Sequence, residues 1–337
     1  MFMRTNKVNL GTLIKPAKVE RCKGKNYPVL SMTMHEGLVF QNEKFKKTIA
    51  SKDTSDYKIV RRNQLVISFP IDEGVLATQR ITDAGIVSPA YGVWDVDTEK
   101  IMPMFLEMSL RCNRALDYYK SHLRGSTARR RSLPTPTLLA FTIPLPNLME
   151  QQEILNIIDK AKSLDELRKQ QLQQLDELVK ARFVEMFGDI HELSKWVKKP
   201  WSELVTIQNG RDYKNLLVES GGYPVYGTGG EMARASDYLC PENSIIVGRK
   251  GTINNPLLVK EKFWNVDTAF GVIVGNQLHY QYFYNFCRMF DFSTLNKQAV
   301  LPSTTKADLL KIQIAVPPIE LQNEFATFVE QVDKSKF

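Results

Sequence analysis

Cysteine is scarce here and poorly placed for chemistry. Cys22, Cys112, Cys240 and Cys287 lie far apart and form no CxxC pair. That spacing excludes the usual structural zinc site and suits a compartment that keeps thiols reduced. The histidines His35, His122, His191 and His279 are equally scattered, without metal-ligand spacing. No GxxxxGK(S/T) loop, no GxGxxG after a strand and no GxSxG elbow occurs. GTGG at 227–230 is glycine-rich, but no helical pattern follows it, so it reads as a loop. An Asn/Asp-Pro-Pro-aromatic motif and a nuclease-type pair of carboxylates are also missing. The expectation is a chain with no catalytic site, no metal and no cofactor. Apolar runs stop short of the ~18 residues of a membrane span. The N-terminus MFMRTNKVNLG lacks the apolar core of a signal peptide. A cytoplasmic protein is expected.

The 337 residues are 43% hydrophobic and 24% charged, which suits two ordinary globular domains better than one small core. The net charge of +8 and the pI near 9.1 fit a polyanionic partner, although many proteins without one are as basic.

The chain repeats itself. LLAFTIPLPNLMEQQEI (138–154) returns as LLKIQIAVPPIELQNEF (309–325) at an offset of 171. Leu138, Pro146, Gln151 and Glu153 match Leu309, Pro317, Gln322 and Glu324, and the apolar Ile154 and Ile158 match Phe325 and Val329. Upstream, YPVL (27–30) resembles YPVY (223–226), YKIVRRNQLVIS (57–68) resembles DYLCPENSIIVG (237–248), and SPAYGVWDV (88–96) resembles DTAFGVIVG (267–275). Four matches in one order indicate duplication. Short β-rich runs such as LVIS (65–68), SIIVG (244–248) and FGVIVG (270–275) alternate with Gly, Pro and Asn turns. Helical character appears around 103–120 and 278–290. Each unit therefore reads as an α/β or α+β globule with a β-rich centre. The divisions are 1–146 for the first unit, 147–190 for a long helix, 191–317 for the second unit, and 318–337 for the start of a second helix.

From Glu150 to Phe187 there is neither proline nor glycine. Ile154, Ile158, Ala161, Leu164, Leu167, Leu172, Leu175, Val179, Phe183 and Met186 recur at helical spacing. Roughly 38 residues would make a rod of about 57 Å. Pro146 and Asn147 fit its entry turn, and Gly188 fits its C-terminal cap. Such a stripe needs a second helix. The C-terminal repeat, with Phe325 and Val329, supplies one, and the two would pack antiparallel with the globules at opposite ends. The alternative is a buried core helix of one larger domain. Eight acids against six bases make this helix a poor phosphate binder and a better spacer or protein-docking surface.

Basic charge gathers elsewhere. Between 111 and 131 lie seven Lys and Arg residues with only Asp117 opposing them. LRGSTARRRSLP places Arg124, Thr127, Arg129, Arg130 and Arg131 where backbone N–H, hydroxyl and guanidinium groups could hold phosphates, or where arginine could pair with guanine. In the second unit the candidates are Thr228 in YGTGG, Arg249, Lys250, Asn254 and Asn255 in GRKGTINN, and Lys297 and Gln298 in LNKQAVLPSTTK. Asparagine can read adenine. The plainer readings are a solvated charge run in the first case and turn chemistry in the second.

The segment PLPNLMEQQEILNIIDKAKSLDELRKQQLQQLDELVKARFVEMFGD resembles the central region of the specificity subunits of type I restriction–modification enzymes, where a P-x-x-x-x-Q helix start runs into a long coiled-coil helix ending in a phrase like MFGD. GRKGTI, FWNVDTAFGVIV and LLKIQIAVPPIELQ (248–322) are similar to that family's target recognition domain. The resemblance covers essentially the whole chain. It implies two β-rich target recognition domains separated by long antiparallel coiled-coil helices, each domain reading one half of a bipartite double-stranded DNA target. It further implies docking of methyltransferase (modification) subunits, joined by translocating restriction subunits, with no cofactor held by this chain. Ile154, Ile158, Leu164, Leu172, Leu175, Val179, Phe325 and Val329 would form the helix seam. One departure is that the second helix stops at Phe337, after about five turns, which leaves self-association through this short helix open. Two other readings remain: the targeting half of a methyltransferase or nuclease with its own activity, and a coiled-coil scaffold that binds no DNA.

Overall fold

The computed structural model describes residues 6–45, 53–124, 132–192, 195–295 and 303–336. The chain divides into two compact units, Met1–Asp165 and Glu166–Phe337. Both are mixtures of helix and sheet.

In unit 1 an antiparallel sheet joins β1 (Ile14–Pro16), β2 (Leu65–Ile67), β3 (Leu76–Thr78) and β4 (Gly92–Val96) in the order β1-β4-β2-β3. Successive residues of a strand point to opposite faces. Accordingly Leu65 enters a core with Phe105, Leu106, Tyr119 and Ile143, while Val66 enters a second core with Leu30, Val60 and Val87. A hairpin of Leu30–Thr33 and Gly37–Phe40 lies beside this sheet, and Val29 bridges Ile86 in parallel. Helix α1 (Pro103–Arg111) follows, with proline in its first turn where the missing N–H costs nothing.

Helix α2 (Leu148–Phe187) runs through both units, so the long periodic segment is one continuous helix of 40 residues. Its entry is a capping box: Glu150 N–H donates to Asn147 Oδ1 at 3.0 Å, and Asn147 N–H donates to a Glu150 carboxylate oxygen at 2.9 Å. Asn147 therefore starts the helix at Leu148, two residues before the stretch beginning at Glu150. At its other end Gly188 takes φ +86° and donates to the Val184 carbonyl at 2.8 Å.

Unit 2 repeats the plan. Strands β5 (Val205–Asn209), β6 (Tyr223–Gly227), β7 (Gly230–Ala235), β8 (Ser244–Gly248), β9 (Leu257–Val259) and β10 (Ala269–Val274) include a sheet of order β5-β10-β8-β9, the counterpart of β1-β4-β2-β3. The β6–β7 hairpin adds a parallel pairing of Val225 with Trp264, as the hairpin of unit 1 does with Ile86. All five residues of β8 are buried. Ile245 and Val247 face the main core, and Ile246 faces a second one with Cys240 and Phe263. Burial pushes the Cys240 thiol up to about 12, so it stays protonated and inert.

Helix α3 (Tyr280–Met289) corresponds to α1, and α4 (Ile319–Lys334) to the start of α2. Within unit 2, α4 lies antiparallel on the second half of α2. Phe325 meets Phe183 and Phe187 with centroids 5.5 Å apart, Arg182 pairs with Glu324, and Asp176 pairs with Lys336. Arg168 also donates to the Lys336 carbonyl. Val179, Phe325 and Val329 of the expected seam are buried here, and Leu175 packs against them. In unit 1, Ile154 packs at the edge of the core, but Leu164 is 66% exposed.

The two long-helix starts, matched in sequence at Gln151 and Gln322, share a device. Gln151 and Gln322 are both 0% exposed. Gln151 accepts from Met102 N–H and donates to the carbonyls of Lys100 and Pro146, all at 2.8–2.9 Å. Gln322 accepts from His279 N–H at 2.7 Å and donates to the carbonyls of Gln277 and Pro317 at 3.2 and 2.8 Å. Each amide ties the start of its long helix to the residues leading into α1 or α3, and satisfies backbone groups that would otherwise be buried unpaired.

Candidate nucleic-acid interface

Three basic residues of unit 2, Arg249, Lys250 and Lys306, meet at one end of its sheet. Strand β8 ends at Gly248 and leads into Arg249 and Lys250, then Gly251 at φ +79°. A Cβ on Gly248 would lie 2.3 Å from the Thr252 carbonyl oxygen, so only glycine lets the chain turn here. Buried Thr304 braces the tip: its Oγ1 donates to the Gly248 carbonyl at 2.7 Å, and its N–H donates to the Arg249 carbonyl at 3.0 Å. From the other side Arg249 N–H donates to Thr268 O, and its guanidinium donates to Asp267 O at 3.2 Å while lying 5.8 Å from the Phe270 ring centroid. Lys306 is positioned by a 2.7 Å bond from Nζ to the Ile207 carbonyl.

The result is an open pit of about 560 Å³ lined by Asn209, Gly210, Arg249, Lys250, Phe270 and Ser303–Lys306. Three cations and several hydroxyls line it, without a carboxylate. Such a surface favours anions, and its arginine offers a planar fork for phosphate or a guanine edge.

Of the expected contacts the pit gathers Arg249 and Lys250. Thr228 sits in the turn of the β6–β7 hairpin, in a different sheet. Asn254 donates its amide to Asp291 at 2.7 Å, and Asn255 is exposed on the same loop. Hydrogen bonds from Ser293 and Asn254 hold the Asp291 carboxyl below its usual range. In unit 1, Arg124 is exposed and its backbone pairs with Ser132. Thr127, Arg129, Arg130, Arg131, Lys297 and Gln298 lie outside the described residues. Asn209, Phe270 and Lys306 were not singled out from the sequence; the signal was the segment 295–306, whose last residue is Lys306. Among the described residues, no group of three His, Cys, Asp or Glu could hold a metal, and no helix is long and apolar enough to cross a membrane.

The sequence pattern of the type I restriction modification DNA specificity domain matches residues 8–177 and again 193–337, once per repeat. The chain belongs to that family. It is a DNA sequence-specificity subunit, and the duplicated units are its specificity domains. Solved structures show the same fold. A chain from a study of the complex assembly and conformational transition of the type I R-M system aligns over 100% of this chain and 92% of its own, with 16% identity and a TM-score of 0.59. The S subunit of a type I restriction-modification system from M. genitalium aligns over 99% and 91%, with 13% identity and a TM-score of 0.60. No curated protein sequence matches.

Proposed function

We propose that residues 1–146 and 191–317 are two target recognition domains, each reading one half of a bipartite DNA target, with the helices of 147–190 and 318–337 setting the half-site spacing. The chain works in the cytoplasm as a non-catalytic subunit. Methyltransferase subunits dock on the helices and restriction subunits join that core. The observation that carries the reading is the pit at Arg249, which presents cations without acids at the end of a specificity-domain sheet.

Docking is supported by the surface of α2. Its counterpart α4 has its apolar face covered by α2 within unit 2, so that face is occupied. The first half of α2 leaves Ile157 and Leu164 each 66% exposed. These residues suit a partner helix, whether from a methyltransferase subunit or from a second copy of this chain, better than they suit water.

The test is duplex binding across a salt series. Neutralising phosphates releases counterions, so affinity falls with salt in proportion to the contacts made. Arg249→Ala, Lys250→Ala and Lys306→Ala should each flatten the salt slope by about one. A triple variant with the parental slope would remove the pit from the interface.

A further inference from the structure

The two units present different chemistry at the same place in the same sheet. Ile67 of β2 faces Gly92, and Ile246 of β8 faces Gly271. Aligned on those glycines, Phe69 and Pro70 of unit 1 take the positions of Gly248 and Arg249 in unit 2. Next to the position where unit 2 offers the Arg249 guanidinium, and where unit 1 has Pro70, unit 1 offers an aromatic ring. Phe69 is 59% exposed, and among the described residues it is the one phenylalanine on the surface to that degree. A ring held in water forgoes the burial that its type usually gains.

The ring is held out by a built turn. Ser68 N–H donates to Val75 O at 2.9 Å, and Gly74 N–H donates to Ile71 O at 2.9 Å with Gly74 at φ +74°. Ile71 is buried beneath and anchors the turn. Asp72 and Glu73 sit on the same turn. Two carboxylates make this tip unfit for phosphates, so on DNA it suits the base edges in the groove. There the complementary group for an apolar ring is the C5 methyl of thymine.

We propose that the two units read their half-sites by different chemistry, with Phe69 of unit 1 recognising thymine through apolar contact with its methyl group. This rests on the proposed role of each unit as a reader of one half-site. The experiment uses the full chain, the duplex it selects, and copies of that duplex in which deoxyuridine, which lacks the methyl, replaces thymine in one half-site at a time. Deoxyuridine in one half should weaken wild-type binding about fourfold, the value of one buried carbon. Phe69→Ala should bind both versions of that half alike, whereas Arg249→Ala should keep the discrimination there and lose affinity at the other half. Because Phe69 is exposed, Phe69→Ala should unfold at the parental denaturant midpoint; Phe69→Leu should keep part of the discrimination.

A wild-type chain indifferent to deoxyuridine, a selected half-site without an A·T pair, or a Phe69→Ala variant that still discriminates would each overturn the assignment. So would a Phe69→Ala variant that binds DNA normally but loses a methyltransferase subunit, which would make the tip a protein contact. If the wild type selects no sequence and Arg249→Ala equals it, the half-site reading itself falls.

Discussion

Units 1 and 2 share a sheet order, a hairpin with one parallel pairing, and a buried glutamine at the start of the following long helix. They differ in what covers that helix start and in what stands at the sheet tip. In unit 2 the start of α4 is buried against Phe183 and Phe187. In unit 1 the matching turns of α2 carry Ile154 at the core edge and Ile157 in water. The shared features make each unit fold, and the divergent ones are where the proposed partners would meet each unit.

The comparison can be broken most sharply at its apolar positions. Phe325→Ala empties a fully buried site and should cost about 3–5 kcal/mol of unit 2 stability, whereas Ile154→Ala should cost unit 1 about 1–2. Urea unfolding with fluorescence and circular dichroism reads both, and equal losses would erase the asymmetry. The glutamines should instead behave alike. Gln151→Ala and Gln322→Ala each leave one N–H and two carbonyls without a partner, for roughly 2–4 kcal/mol in the unit concerned. Hydrogen exchange localised to one unit would show it, and a neutral substitution in either unit would end the equivalence.

A smaller effect sharpens the contrast at the unit 2 clasp. Burial pushes the Asp176 carboxyl up, but hydrogen bonds from Lys336 and Arg288 outweigh it and hold the group below its ordinary range. A depressed folded pKa adds stability that is complete above the unfolded value near 4 and is lost as pH falls through the folded one. Asp176→Asn should therefore cost at most about 1 kcal/mol at neutral pH, because the pair is partly solvated, and should flatten the loss of stability as pH falls below about 4. Smallest of all, Leu164→Ser should change stability by less than about 0.5 kcal/mol, because the side chain is already in water. Its effect should appear only when a partner is added.

Much of the architecture was legible in residue order. The offset of 171 exposed the duplication, and the uninterrupted stretch to Phe187 exposed the long helix, since helical periodicity is a local signal. Gly188 and Asn147 marked its ends correctly. The pairing of strands of three to six residues is non-local, so neither the sheet order nor the pit could be read in advance. Lys306 lines the same pit as Arg249 because Thr304 binds the Gly248 carbonyl, a contact 56 residues apart in the chain. Gln151 was visible as a match to Gln322, but its work is done by three backbone partners that carry no side-chain signature.

Helix α2 should also invert an ordinary pattern of motion. Most helices open first at their ends, where four N–H and four carbonyl groups lack partners. Here the first turn is held by Asn147, Glu150 and Gln151, and the last by Phe183 and Phe187 in a core. Between them, residues 156–171 are mostly exposed, with Arg168 bonded to Gln171 and to the Lys336 carbonyl. Amide protons near Leu164 should thus exchange with solvent faster than those at either terminus, and a protease offered the free protein should cut first in the middle of its longest helix.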